Sequence, residues 1–187
     1  MEIKREWSMP NSKTFSIKPI KKLIKKYADD ILSKNPESIE LVVDPFANEF
    51  KIGDVFDNDI FNSITNDLDE SYDTDFHKDA TDFLKTFKDN SVGVLLYDPP
   101  YSPRQVSESY KKLGKSVNMQ TTQSSYWSKQ KKEISRIVKP DGYVITFGWN
   151  SGGIGKTNGF DIVEILMVAH GGWHNDTICT VERKRIC

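Results

Sequence analysis

The chain of 187 residues is nearly devoid of cysteine, with only Cys179 and Cys187. Two cysteines make neither a disulfide framework nor a cysteine-built metal site. Long hydrophobic runs are also missing: no apolar stretch approaches the length that spans a bilayer, and no signal peptide opens the sequence. An intracellular, cytoplasmic protein with no membrane attachment is therefore expected. An excess of one charge is absent too, since 26 Lys and Arg stand against 27 Asp and Glu, a net of −1. Nothing global draws such a chain onto a polyanion, so any contact of that kind has to come from a local patch. Internal repeats and low-complexity tracts do not occur. What remains, 37% hydrophobic and 28% charged residues, suits one compact domain over residues 1–187.

Along the chain, the apolar pattern switches between helical and strand spacing. Ile20, Leu23, Ile24, Tyr27, Ile31 and Leu32 mark a helix over residues 18–33. Lys18, Lys21, Lys22, Lys25 and Lys26 fill its other side, which reads as a solvated face more readily than as a phosphate-binding one. The first sixteen residues read as polar and irregular, with Trp7, Pro10 and Phe15 as anchors. Strands are expected at 39–43, 60–66, 77–79 and 92–96, with a helix through Phe83, Leu84 and Phe87. Residues 102–124 are polar and read as a long loop or insert. A helix over 126–138 follows, then a turn at Pro140-Asp141-Gly142 and a strand at 143–147. Strands at 160–169 and 177–182, joined by a short linker, form an antiparallel hairpin. The class is α/β: a doubly wound, mostly parallel sheet, whose ligands sit beyond the carboxyl ends of the strands. Asp44, Asp67, Asp79 and Asp98 all fall at or near such ends.

Asp98-Pro99-Pro100-Tyr101 is the most telling stretch. An acid, two prolines and an aromatic after a buried strand form a rigid, polar, stackable corner. Carboxylate and carbonyl oxygens can accept the N–H bonds of a planar amine while the Tyr101 ring lies on its face. The corner resembles the catalytic tetrapeptide of the DNA amino-methyltransferases, which methylate the exocyclic amine of adenine or cytosine. The order of motifs along most of the chain resembles the γ-like group of that family, cofactor motifs first. Ser12-Lys13-Thr14-Phe15 resembles the segment at the methionine end of S-adenosylmethionine. Asp44-Pro45-Phe46-Ala47-Asn48-Glu49 resembles the first cofactor motif. Thr65-Asn66-Asp67-Leu68 resembles the strand end whose acid binds the ribose, and Asp79-Ala80 the motif that reads the cofactor's adenine. Tyr101 to Gln105, Gly148 to Ser151 and His170 to Asp176 resemble segments of small phage-type methyltransferases.

The resemblance implies a seven-stranded class I methyltransferase sheet, S-adenosylmethionine as cofactor, and methylation of adenine N6 in DNA. By the same resemblance, Asp98, Pro99, Pro100 and Tyr101 are catalytic. Thr14, Phe15, Asp44, Pro45, Phe46, Asp67, Asp79 and Ala80 hold the cofactor. The sequence departs from the family in two places. The glycines of the first motif are replaced by Asn48, Glu49 and Phe50, where glycine normally allows a positive φ and a close backbone approach. No segment is large enough for a separate target-recognition domain, which fits low sequence specificity, a partner subunit or a non-duplex substrate, and leaves a homodimer open.

Outside the motifs, Arg104, Trp149, Asn150 and His174 are candidate substrate-binding residues. Trp149 is weighed equally as core filling and base stacking, and Arg104 equally as phosphate contact and solvated charge. Gly152-Gly153-Ile154-Gly155-Lys156 lacks full Walker spacing and reads as a flexible loop. His170 and His174 are separated by glycines and lack a third ligand, so no metal site is expected. The rival from another class is an inactive protein on the same fold that binds nucleic acid or a partner. RNA or N4-cytosine as the target are further alternatives.

Overall fold

The computed structural model describes residues 1–34, 36, 38–48, 52–56, 61–114 and 124–186. Ile60, Glu49, Phe50 and residues 115–123, about which the sequence raised expectations, lie outside them. The described elements are β1 (Glu2–Trp7), α1 (Lys18–Lys34), β2 (Glu40–Asp44), β3 (Phe61–Thr65), α2 (Ala80–Leu84), β4 (Val92–Tyr97), α3 (Pro103–Lys112), α4 (Ser124–Ile137), β5 (Val138–Gly148), β6 (Phe160–Ala169) and β7 (Thr177–Lys184). The strands form one seven-stranded sheet in the order β1-β6-β7-β5-β4-β2-β3. Every pairing is parallel except those of β7 with β5 and β6. This is the mostly parallel sheet with an antiparallel hairpin of class I methyltransferases. No described helix is long and apolar enough to cross a membrane.

Alternation along the central strands builds a core on each face. On β2, β4 and β5, Val42, Val94, Leu96, Ile145 and Phe147 meet the apolar stripe of α1, where Ile20, Leu23, Ile24, Tyr27 and Ile31 are buried. Val43, Leu95, Tyr97 and Val144 point the other way, onto Phe83 and Leu84 of α2 and Ile134 and Ile137 of α4. The central strand β4 is buried at all six positions, as a doubly covered parallel strand requires. At the amino end of the sheet, the buried Glu40 carboxylate accepts from Lys139 Nζ at 2.6 and 2.7 Å. Gly93 makes room for it, since a Cβ there would meet Glu40 Oε2 at 2.3 Å.

Three elements differ from the sequence-based expectation. Residues 2–7 are not irregular: they form edge strand β1, parallel to β6 from Glu2↔Glu164 to Trp7↔Ala169. Its residues carry almost no apolar alternation, because an edge strand exposed on both faces needs none. Residues 77–79 do not form a strand. The chain makes one bridge, Asn66↔Phe76, and Asp79 then caps α2. The sheet thus has seven strands, with β1 in place of the one expected at 77–79. Within 102–124, α3 occupies 103–112, and Val106 is its one buried residue. So few apolar positions left its periodicity faint, although Ser102 as N-cap and Pro103 at the first turn are helix-start signals. The Pro140-Asp141-Gly142 turn is an irregularity inside β5, where the register with β4 shifts between Val92↔Val138 and Val94↔Tyr143.

Candidate active site

The carboxyl ends of β2, β3 and β4 supply the acids. Asp44 ends β2 and is fully buried. Its Oδ1 accepts from Phe46 N at 3.0 Å, while Oδ2 is buried without a partner among the described residues. Burial pushes the Asp44 carboxyl well above the usual carboxylate range, helped by Asp98 and Asp67 nearby. The chain then turns through Asn48, which has φ +56°. Asparagine tolerates this left-handed conformation better than most side chains, so it performs the turn that glycine usually makes. Asn48 N donates to Asp67 Oδ2 at 3.0 Å, and Asp69 N donates to Oδ1 at 2.9 Å. Burial raises Asp67 as well, against those two amide bonds.

Asn66, which the sequence reading passed over, ties these loops together. Its buried side chain donates to the carbonyls of Pro45 at 3.1 Å and Lys78 at 3.0 Å, and accepts from Lys78 N at 2.9 Å. Asp79 caps α2 through Thr81 N at 2.9 Å, and its other oxygen accepts from Tyr110 Oη at 2.5 Å. Tyr110 belongs to α3, so the helix that follows the Asp98 to Tyr101 corner reaches back over Asp79 and the start of α2. Between them lies a cavity of about 430 Å³, walled by Phe46, Asn48, Asp67, Ala80, Asp98 to Tyr101 and, from α3, Gln105 and Tyr110. A cleft of about 30 Å³ continues from Phe46, Asn48 and Asp98 to Ser12, Thr14 and Phe15.

The corner itself is held from several sides. Asp98 Oδ1 accepts from Tyr101 Oη at 2.5 Å. Burial raises the Asp98 carboxyl, with the hydroxyls of Tyr101 and Thr14 pulling the other way. Tyr101 N donates to Gln105 Oε1 at 2.6 Å, and Trp127 Nε1 donates to Pro100 O at 3.2 Å. The Tyr101 ring lies 5.2 Å from Trp149, centroid to centroid. Behind the corner is a second cavity of about 280 Å³, lined by Pro99 to Tyr101, Trp127, Lys131, Thr146, Trp149 and Asn150. Pro99, Pro100 and Tyr101 therefore form a partition with a cavity on each side.

Most of the sequence-derived candidates converge here. Thr14, Phe15, Pro45, Phe46, Asp67, Ala80 and Asp98 to Tyr101 line the first cavity or its cleft, and Trp149 and Asn150 line the second. Asp44 and Asp79 stand behind the wall rather than on it. Arg104 is exposed and paired with Glu108 at 2.7 Å, and His174 is exposed on the hairpin loop; neither lines a cavity. Gln105, Tyr110 and Tyr126 also line the first cavity and Trp127 and Lys131 the second, although the sequence singles out none of them as a site residue. The helical spacing of Val106 and Tyr110 after Ser102-Pro103 was the available signal for the first two. The loop at 152–156 is anchored rather than free. Ile154 N and Gly155 N donate to the buried Glu182 carboxylate at 2.5 and 2.9 Å, so the amides a phosphate would need are already used. His170 is likewise committed, to Ser8 O and Thr177 Oγ1 at 2.9 Å each.

No protein-family model matches the sequence, and no curated protein does. Solved structures do match in fold. A SAM-dependent methyltransferase from Archaeoglobus fulgidus has a TM-score of 0.56 at 10% identity, over 88% of this chain and 94% of its own. The 1,6-didemethyltoxoflavin-N1-methyltransferase of Burkholderia thailandensis, solved with S-adenosylhomocysteine, has a TM-score of 0.54 at 11% identity, over 88% of this chain and 86% of its own. TrmN from Thermus thermophilus has a TM-score of 0.53 at 19% identity, over 84% of this chain. The chain spans 48% of TrmN's length. At these identities the likeness establishes the fold, and the chemistry has to be argued from the site.

Proposed function

We propose that the protein is an S-adenosylmethionine-dependent methyltransferase acting on the exocyclic amine of a nucleobase, with adenine N6 in DNA as the leading target. The observation that carries this reading is the partition: Pro99 to Tyr101 separate a cavity flanked by acids, Asp98 among them, from one walled by aromatic rings. The residues of the first cavity fit the cofactor. In this reading Asp67, held by two amides, would bind the ribose, and Ala80 would lie by the adenine, with Asp79 behind it positioning α2 and Tyr110. The unpartnered Asp44 Oδ2 and the buried Asp98 carboxyl favour a cationic ligand beside them. When bound, the cofactor supplies an electrophilic methyl group.

The chain's own residues then have three tasks. Tyr101 and Trp149, in contact with each other at a tilt of 55°, offer ring faces on which a planar base in the second cavity stacks. Asp98 Oδ1 exchanges the Tyr101 hydroxyl for an N–H of the amine, and the Pro99 carbonyl takes the other N–H. That pair of acceptors favours a pyramidal nitrogen with its lone pair directed at the methyl, an interaction that strengthens toward the transition state. The alkylated nitrogen is acidic, and its proton passes to Asp98, whose raised proton affinity suits the role. A base in a duplex has first to be flipped out, at a cost of a few kcal/mol that a single strand largely avoids. Titration calorimetry with S-adenosylmethionine separates this reading from a binding-only protein. Micromolar binding that weakens in Asp67→Ala supports the enzyme; absence of binding beside retained nucleic-acid affinity overturns it.

A further inference from the structure

The chain has four tryptophans, and all four lie at the carboxyl rim of the sheet. Trp7 is the last residue of β1, Trp173 sits in the β6–β7 connection, Trp149 follows the last residue of β5, and Trp127 is in the first turns of α4. Strands β1, β6, β5 and β4 run in the same direction, so their carboxyl ends share one rim. In sheet order the row runs Trp7, Trp173, Trp149, Tyr101, from the free edge to the catalytic corner. Trp7, Trp173 and Trp149 are 66%, 105% and 48% exposed. Single exposed apolar residues need no explanation, but a row of the largest side chains leading to one site does. Two contacts tie the row down at its ends: Trp149 meets Tyr101 at 5.2 Å, and a Cβ on Gly171 would lie 3.4 Å from Trp7 Nε1, which places the Trp7 ring against the loop that carries Trp173.

From this arrangement we infer that the rim is a stacking track for single-stranded nucleic acid, which feeds one base into the cavity that Tyr101 and Trp149 help to line. The inference rests on that cavity being the base site and names the strand state of its substrate. Exposed aromatic faces bind successive unpaired bases with little regard to sequence, whereas a duplex keeps its base faces stacked on each other. Four inter-strand steps from β4 to β1 cover about 19 Å, room for about four to six stacked nucleotides. Near the corner, Lys13 lines the small cleft and Lys131 lines the second cavity with its ammonium donating to Gly153 O, against a net charge of −1. Stacking, rather than phosphate neutralisation, therefore supplies most of the affinity. With two phosphate contacts, the slope of log K against log salt should be no steeper than about −1.4.

The test is fluorescence anisotropy of labelled oligonucleotides of two, four, six and ten nucleotides, in DNA and RNA forms, with a duplex of the same sequence. The expected result is affinity that climbs up to about six nucleotides, a shallow salt slope and weaker duplex binding. Trp173→Ala and Trp7→Ala should each weaken binding of the six-nucleotide strand about tenfold, while Trp173→Phe stays within about threefold. Equal DNA and RNA affinities mark readout through base faces, and tighter RNA binding marks an added contact to the 2′-hydroxyl; the track stands in either case. Alanine variants that bind as wild type, or a duplex that binds as tightly as the single strand, overturn it. Failure of the methylation reading looks different: the tryptophan-dependent binding persists, and no methylated base forms.

Discussion

The two cavities on either side of Asp98 to Tyr101 are made of different materials. The first is built from strand ends and tight turns: Asp44, Asn48, Asp67 and Asp79 act through backbone amides that they accept from or donate. The second is built from rings that distant elements bring together, with Tyr101 from the corner, Trp127 from α4 and Trp149 from the end of β5. The first is a set of local devices at successive strand ends and at the cap of α2. The second exists only once α4 and β5 pack against β4. This difference explains which parts tolerate change and which were visible before folding.

Removing the shared partition gives the largest effect. Asp98→Ala should lower methyl transfer by about a thousandfold or more, since it removes the acceptor aimed at the developing charge. The melting temperature should change little, because relief of the carboxylate's burial offsets the lost Tyr101 hydrogen bond. Transfer of a labelled methyl group, with a thermal melt beside it, checks both.

On the second cavity, Tyr101→Ala should lower kcat/KM about tenfold to a hundredfold through lost stacking. Tyr101→Phe should keep activity within about threefold, because it keeps the ring and removes the hydroxyl that occupies Asp98 Oδ1. If the phenylalanine variant fails as badly as alanine, the hydroxyl rather than the ring matters, and the comparison breaks.

The acids of the first cavity give a pH signature. Asp44, Asp67 and Asp98 are all raised by burial, so the folded protein binds protons more tightly than the unfolded chain. Their burial therefore costs stability as pH rises from the unfolded carboxylate value through the folded one, and protonation relieves that cost. Cofactor affinity should run the opposite way, rising with pH as the carboxylates ionise toward a cation. Calorimetry in two buffers of different ionisation heat should detect proton release on binding.

Asp79→Ala should show a double loss. Stability falls by about 1 kcal/mol with the α2 cap, and cofactor affinity falls as Tyr110 loses its anchor over the cavity. The smallest effect belongs to the turn. Asn48→Gly should be neutral within a few tenths of a kcal/mol, while Asn48→Ala costs about 1 kcal/mol at φ +56°. Denaturant midpoints decide both.

The contrast also accounts for what the sequence disclosed. Asp44, Asp67 and Asp98 could be placed because each follows a short apolar strand, and that punctuation is local; Asp79 was expected to end a strand and caps α2 instead. Asn48 could be read as the residue standing in a glycine's place. Asn66 could not, because its importance lies in joining Pro45 to Lys78, two loops that come together only in the folded sheet. Strand β1 was invisible because an edge strand exposed on both faces needs no apolar alternation. Helix α3 was nearly so, because only Val106 is buried. Trp127 and Lys131 lie on a helix whose existence was plain. Their position beside the corner depends on how α4 packs, which no local pattern encodes.

The central claim is that the Asp98 corner directs a methyl group onto an exocyclic amine of a nucleobase. The most direct measurement is mass-spectrometric nucleoside analysis of single- and double-stranded DNA and RNA after incubation with isotope-labelled S-adenosylmethionine. The account predicts labelled N6-methyladenine from the wild-type protein and none from Asp98→Ala. No labelled nucleoside with wild type, or an undiminished yield from the variant, would contradict it.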